Sequence, residues 1–449
     1  MKFDEIQEIL NRQLLKLENR SLNDTEQLLL RGLWQKKNYQ EIAQENGYSS
    51  GYLANVVAPG LYDRVSQLIG EPINKKNFLS RLQSHFTNST SLQYCGQEYL
   101  QNERPEYPDA PVPYNSYYYL KRTKLEAKII EEIGQSGALV RIKAPKKWGK
   151  TSLLLTILEA CQQQFGYQII SLDLQKADQD IIANFNKFLR WICRNCARQL
   201  NLEAKLDDYW DEDIGIKMSW TIYFEEYILR EIKQPLVLAL DEVHRVFEHP
   251  KVAEDFLPLI RACYEESKRS PLWQKLRLII VQSTESYVSL RLEQSPFNVG
   301  LPIELQGFGQ EQVAELAKKY QLNELATNEI QQLIDLVGGH PALIHLAIYH
   351  LSQEQITMPD LIKSATTSTG IYSSHLQLHW VTLQKQPELA GIFQKICQGN
   401  QPMIVDPIIA YKLNSMGLIK LREKQAIVSC QLYQKSFISQ KTGSEKIYF

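Results

Sequence analysis

Hydrophobic and polar positions along this 449-residue chain follow more than one rhythm, and the changes of rhythm divide it. Over residues 1–85 the apolar side chains recur at helical spacing. Leu22-Asn23-Asp24-Thr25-Glu26 begins a helix in the manner of a cap. Asn38-Tyr39-Gln40-Glu41-Ile42-Ala43-Gln44-Glu45-Asn46-Gly47-Tyr48-Ser49 then reads as a short helix, a glycine turn and a new N-cap. This is a helix-turn-helix signature, with Ser50 to Val57 as the second helix. Residues 86–115 read as a linker, carrying Pro105, Pro108, Pro111 and Pro113 with Tyr107 and Tyr114 among them. The tyrosines that follow, Tyr117 to Tyr119, suggest a docked end, which either simply packs onto the next domain, the favoured use, or brings an aromatic ring or Arg122 toward a bound base.

From 116 to 306 short, continuous apolar runs alternate with helical stretches. Val140–Ile142, Gln168–Leu172, Leu236–Leu240 and Leu276–Val281 are predicted strands of a parallel α/β sheet, whose ligands bind at the strands' carboxyl ends. A helical insertion between Phe185 and Tyr227, with Trp191, Trp210 and Trp220, reads as core. Helices take over from 307 to 370, a predicted lid: Gln310–Ala317, then Glu329–Val337 closed by Gly338-Gly339, then a new helix from Pro341. Residues 371–449 read as further helices. Strand signals follow at Leu418-Ile419-Lys420 and Ala426-Ile427-Val428 around an Arg422-Glu423-Lys424 turn, and Tyr433 and Phe437 lie on a last helix. That order predicts a winged helix.

The chemistry sits at the strand ends. Ala144-Pro145-Lys146-Lys147-Trp148-Gly149-Lys150-Thr151-Ser152 joins a strand to a helix N-terminus, where unpaired backbone N–H groups and the helix dipole favour phosphate. Lys150 would reach the β- and γ-phosphates and the Thr151 hydroxyl a magnesium ion. Alanine replaces the usual first glycine at 144, an expected cost wherever φ is positive. Pro235 to Leu240 runs into Asp241-Glu242, the Walker B pattern, in which Asp241 holds magnesium and Glu242 orients or deprotonates water. Ser283 or Thr284, at the tip of the next strand, fits a sensor of the γ-phosphate or the water, and Asp173 stands at another such tip. His340, at a helix start, is placed to cover a bound base or phosphate. Arg261, Arg277 and Arg291 are the candidates for an arginine acting across subunits.

Charge and composition change the picture little. Lys+Arg 50 against Asp+Glu 51 gives no global attraction to nucleic acid. The second N-terminal helix offers only Ser49, Ser50, Tyr52 and Asn55 as polar candidates, so phosphate contacts would rest on Arg31, Lys36, Lys37, Arg64, Lys75 and Lys76. Protein docking is therefore favoured over DNA for this segment. Seven cysteines are expected as reduced thiols, Cys193 and Cys196 as half-buried helix residues. No apolar run approaches a membrane span and no leader is visible, so the expected compartment is the cytoplasm.

Taken in order, APKKWGKTSLL, PLVLALDEV, STESYV, ELQGFGQEQVAELAKKYQL, LVGGHPALIHLAIYHL and YKLNSMGLIK resemble the AAA-like ATPase domain abundant in cyanobacteria, a relative of the STAND signalling ATPases, over residues 112–440. Residues 1–85 are similar to the helix-turn-helix module of vWA-MoxR-associated bacterial conflict-system proteins. The resemblance implies an α/β P-loop NTPase core of the ASCE/AAA+ type, a helical lid with a Gly-Gly-His-Pro motif, and a winged helix that holds nucleotide in an inactive state. Carried over by position, Pro145 to Ser152 hold the phosphates, Thr151 and Asp241 magnesium, Asp241 and Glu242 the Walker B roles, Thr284 the sensor, and His340-Pro341 the lid contact. ATP, ADP and Mg are the implied ligands. The implied function is a slow ATP-hydrolysing switch in bacterial signalling or defence that recruits proteins through its N-terminal module and oligomerises on activation. The alternative is a DNA-binding AAA+ regulator or transposition-type ATPase. The repeat array or effector domain often fused in members is not seen in this chain, which fits an adaptor working through separate partners.

Overall fold

The computed structural model describes residues 107–285, 295–399 and 401–438. Nearer the start it describes 6–7, 10–11, 14, 17, 20, 22–35, 37–75, 77–79 and 81–82. Most of the 86–115 linker, Cys95, Arg291 and the lysines at 36 and 76 lie outside the described residues. The chain divides into two compact units, Met1–Arg104 and Pro105–Phe449.

In the first unit the predicted caps form. The Asn23 side chain accepts from the Glu26 N–H while Glu26 reaches back to the Asn23 N–H, starting Asp24–Trp34. Asn38 and Glu41 do the same for Tyr39–Asn46, and Gly47, left-handed at φ 73°, ends it. Ser49 caps the next helix, which runs on through Leu53–Val57 into Ala58–Ile69, past the predicted end at Val57. Leu29, Leu30, Ile42, Leu53, Leu61 and Val65 form its core. Arg64, nominated for phosphate contact, is instead buried and bonded to Glu26 at 2.7 Å and to the Arg20 carbonyl. Lys37 is paired with Glu45, and Lys75 lies 4.4 Å from the centre of the Tyr39 ring.

The second unit is built on five parallel strands: β1 Leu139–Ala144, β2 Gln168–Asp173, β3 Leu236–Asp241, β4 Leu276–Ser283 and β5 Leu301–Glu304, in the order β2-β3-β4-β1-β5. Strand β3 is buried at all six positions, as a continuous apolar run in a two-faced sheet must be. Alternate residues go to opposite faces. Val237 and Ala239 join Val140, Ile142, Val281 and the helix Lys150–Phe165, while Leu236, Leu238 and Leu240 join Phe188, Trp220 and Phe256 of the insertion and its neighbours. Cys193 and Cys196 are fully buried there, and burial raises both thiols, so they serve as core. Strand β5, an edge strand containing Pro302, has too short an apolar run to be read from the sequence.

Beyond β5 the helices Gln310–Lys319, Thr327–Val337, Pro341–Ser352, Ser373–Gln384, Pro387–Gln398, Pro407–Ser415 and Gln431–Ile438 share one continuous core, centred on Leu333, Ile344, Ala347, Phe393 and Leu413. Three short antiparallel strands, β6 Met403–Ile404, β7 Ile419–Arg422 and β8 Gln425–Val428, pair in the order β6-β8-β7. Glu423 and Lys424 turn the β7–β8 hairpin with positive φ at both positions. The predicted strand signals are found there. Strand β6 had no signal beyond two apolar residues.

Candidate functional site

Strand β1 delivers the chain to the loop before Lys150–Phe165, and that helix's first N–H groups open onto the loop. Ala144 is the last residue of β1, pairing in register with Ser283, so it is extended and needs no glycine. The left-handed positions are Lys147 (φ 59°) and Gly149 (φ 84°), which corrects the expected cost at 144. A Cβ at Gly149 would meet open space; what requires glycine there is backbone conformation. Lys150 is buried, and its Nζ donates to the Pro145 carbonyl of its own loop at 2.9 Å. Burial lowers its pKa, while Glu242, Asp241 and Glu285 pull it upward.

The Walker B carboxylates stand beside that helix start. Asp241 Oδ2 accepts from the Thr151 hydroxyl at 2.8 Å, and Oδ1 accepts from the Glu242 N–H at 2.8 Å. Burial pushes Asp241 up to about 6, against the Thr151 hydrogen bond. Glu242 takes a left-handed conformation, φ 57° and ψ 36°, which turns its carboxylate into the cavity next to the loop. Its Oε2 accepts from Gln175 Nε2 at 2.9 Å. A hydroxyl and a carboxylate held 2.8 Å apart form an all-oxygen donor pair of the kind that suits magnesium, and buried Lys150 with the open backbone at Gly149 suits phosphate. The residues present therefore fit both groups.

The tip of β4 is divided between neighbours. The Ser283 N–H donates to His244 Nδ1 at 3.3 Å, and the Thr284 hydroxyl donates to the Ser415 carbonyl at 2.6 Å, so it faces the C-terminal helices and does not line the cavity. Glu285 accepts from the Lys146 N–H at 3.0 Å and lies 3.6 Å from its ammonium. Asp173, a candidate by position, caps Gln175 with its own side chain.

One cavity of about 330 Å³ gathers the phosphate loop, Gln175, Glu242 and Glu285, with Asp241 behind Thr151. Residues Pro145 to Ser152 line it with Gln175, Glu242 and Glu285 on the core side, and Tyr118, Tyr119 and Arg122 from the segment before the first core helix. Val112 N–H donates to Ser152 Oγ, which fastens that segment to the loop. His340 and Pro341 line the cavity from the lid, with His375, His379 and Met416 beyond them. His340 packs edge-on to Trp148 at 5.5 Å and to His375 at 5.1 Å, and its Nδ1 is buried without a partner. Burial holds His340 down to about 3 and His379 down to about 4, so both imidazoles are neutral. Gly339, at φ 76°, allows this approach: a Cβ there would stand 2.7 Å from the Phe308 carbonyl.

The sequence thus nominated the loop, the carboxylates and His340-Pro341, which the structure brings together. It missed Gln175, His244, Glu285, His375 and His379. Only Gln175, just past a strand end, and Glu285, next to Thr284, carried a positional signal. Of the arginines nominated to act across subunits, Arg277 is buried and donates to the Ile133, Gln274 and Lys275 carbonyls, which removes it; Arg261 is paired with Glu265. Among the described residues no helix is long and apolar enough to cross a membrane, and no group of three or more His, Cys, Asp and Glu side chains is placed to hold a metal ion.

A family profile described as AAA-like domain matches residues 107–439, and one described as vWA-MoxR associated protein N-terminal HTH matches residues 1–85. An uncharacterized WD repeat-containing protein of Synechocystis sp. is 24% identical over 328 residues, which is 67% of this chain and 27% of that protein. The chain therefore spans about a quarter of the length of the curated relative it matches. The Walker-type ATPase of Pyrococcus abyssi is similar in structure with a TM-score of 0.51 at 14% identity, over 75% of this chain and 99% of that one. The Aeropyrum pernix ORC2 protein, in ADPNP–ADP complexes, gives a TM-score of 0.43 at 16% identity over 76% of this chain and 95% of that one. The first likeness is one of fold, a parallel-sheet P-loop NTPase.

Proposed function

The chain belongs to the AAA-like domain family, and on that premise we propose that it is an ATP-controlled molecular switch with slow hydrolysis. The observation that carries this reading is the single cavity into which the phosphate loop, the segment at 118–122, the lid and the helix Ser373–Gln384 all project. A ligand seated there touches every one of these elements, so binding and loss of nucleotide bias their arrangement. Flipping the population fully takes a difference in ATP affinity between the two arrangements of about 5 kcal/mol.

In this reading the loop Pro145 to Ser152 wraps the phosphates, with Lys147 to Ser152 supplying the backbone N–H groups, and Lys150 leaves the Pro145 carbonyl for the β- and γ-phosphates. Thr151 and Asp241 would hold magnesium, which when bound neutralises phosphate charge. Glu242 orients water and accepts its proton. His340 and Pro341 close over the nucleotide from the lid. Thr284 acts as a sensor through the Ser415 carbonyl it binds, on a C-terminal segment we read as a winged helix. Arg261 is the remaining described candidate for contact across subunits in an oligomer formed on activation.

The N-terminal helix-turn-helix recruits a protein partner in this account. Support comes from its second helix, where Tyr52 and Val56 are exposed, Tyr48 stacks on Tyr52 at 6.0 Å, and residues 49–60 carry no charge. Such a face suits a protein surface better than phosphates. The resemblance points to bacterial signalling or defence as the setting. Limited proteolysis tests the switch: Mg-ATP should protect the lid and C-terminal helices of the parent, protect Glu242→Gln lastingly, and leave Lys150→Ala unprotected. Identical digestion of all three with and without nucleotide would refute it.

A further inference from the structure

The carboxylate of Glu242 stands between two side chains at the carboxyl end of the sheet, Gln175 and His244. Gln175, just beyond β2, donates to Oε2 at 2.9 Å. On the other side stands His244, buried to 5% exposure, with Nε2 3.4 Å from the same Oε2. The opposite ring nitrogen, Nδ1, receives the Ser283 N–H at 3.3 Å. A backbone N–H can only donate, so Nδ1 carries the lone pair and the ring proton of the neutral imidazole sits on Nε2, facing Glu242. Gln175 thus bonds Oε2 and the His244 Nε2 proton faces the same oxygen, which leaves Oε1 for water.

Ser283 is no neutral anchor. It ends β4, pairs in register with Ala144 at the root of the phosphate loop, and precedes Thr284, bonded to the Ser415 carbonyl, and Glu285, bonded to the Lys146 N–H. The imidazole therefore joins the strand tip that touches both the loop and the C-terminal helices to the carboxylate that would accept a proton. We propose that His244 is a positioning residue: it fixes the Glu242 carboxylate relative to the tip of β4, so that turnover, and not nucleotide affinity, depends on it. This rests on the reading of Glu242 as the base.

The test compares Mg-ATP affinity and single-turnover hydrolysis in the full chain for the parent, His244→Asn, His244→Gln and Glu242→Gln. Asparagine puts its amide oxygen where Nδ1 stands and keeps an acceptor for Ser283, but has nothing to reach Glu242. Glutamine puts an N–H where Nε2 stands. The asparagine variant should bind within about threefold of the parent and hydrolyse at least about tenfold more slowly, with most of the rate restored in the glutamine variant. An asparagine variant that hydrolyses at the parental rate overturns the inference, as does one whose affinity and rate fall together, the mark of a purely structural role. If the parent neither binds nor hydrolyses ATP, or Glu242→Gln hydrolyses like the parent, the reading of the site falls first and takes this inference with it.

Discussion

Among the described residues the buried Lys150 ammonium finds just a carbonyl of its own loop, so the site holds a cation in reserve for an anion. Lys150→Ala should weaken Mg-ATP binding about 30-fold or more, since truncating a buried charge partner costs about 2–5 kcal/mol; calorimetric titration reads this directly. Glu242→Gln should bind as the parent does and turn over about 100-fold more slowly, read as phosphate release. A different outcome is expected at Ala144. Because it is extended at the end of β1, Ala144→Gly should restore nothing to nucleotide affinity and should destabilise the protein by about 0.5–1 kcal/mol, measured as a lower urea midpoint. Residue identity was legible wherever chemistry demands a type at a fixed spacing, as with Lys150, Thr151, Asp241 and Glu242. Gln175 carried only its place past a strand end, while His375 and His379 gave no signal, because their place at the cavity is set by how distant elements pack.

At the scale of elements, the lid and the C-terminal helices meet the phosphate loop through neutral, buried imidazoles. His340 and His379 titrate near 3 and 4 in the folded protein against 6.5 for the free side chain, so the unfolded chain holds more protons between about 4 and 6.5. Stability present above 6.5 is therefore lost as pH falls through that window, by about 2 kcal/mol per histidine at pH 5. Denaturation of the nucleotide-free protein at pH 7 and pH 5 checks the sign, and the double variant His340→Gln/His379→Gln should lose less stability between the two. Thr284→Val tests the other joint. It removes the donor to the Ser415 carbonyl, at a cost of about 1–3 kcal/mol if that carbonyl stays unpaired, and should speed release of a fluorescent ATP analogue; an unchanged rate would mean that the joint does not hold the C-terminal segment. The main elements could be read from the sequence because β1 to β4 are short, largely apolar runs, β3 continuously so, and the N-terminal helices carry caps. The exceptions, β5 and β6, are an edge strand with a proline and a two-residue strand, too short for any period to register.

For the whole molecule, near balance of charge and the fate of the nominated N-terminal cations bear on partners. With Arg64 buried against Glu26 and Lys37 tied to Glu45, any binding of duplex DNA should be weak at physiological salt, and a shift assay across a salt series would reveal the steep dependence that a true DNA-binding face requires. The central claim is that a triphosphate seats over Gly149 to Ser152 with its metal toward Asp241. Calorimetric titration of Mg-ATP into the full chain tests it most directly. Saturable binding at one site, weakened about 30-fold or more by Lys150→Ala, is the expected result; absence of binding in the parent, or equal binding by the variant, would contradict it.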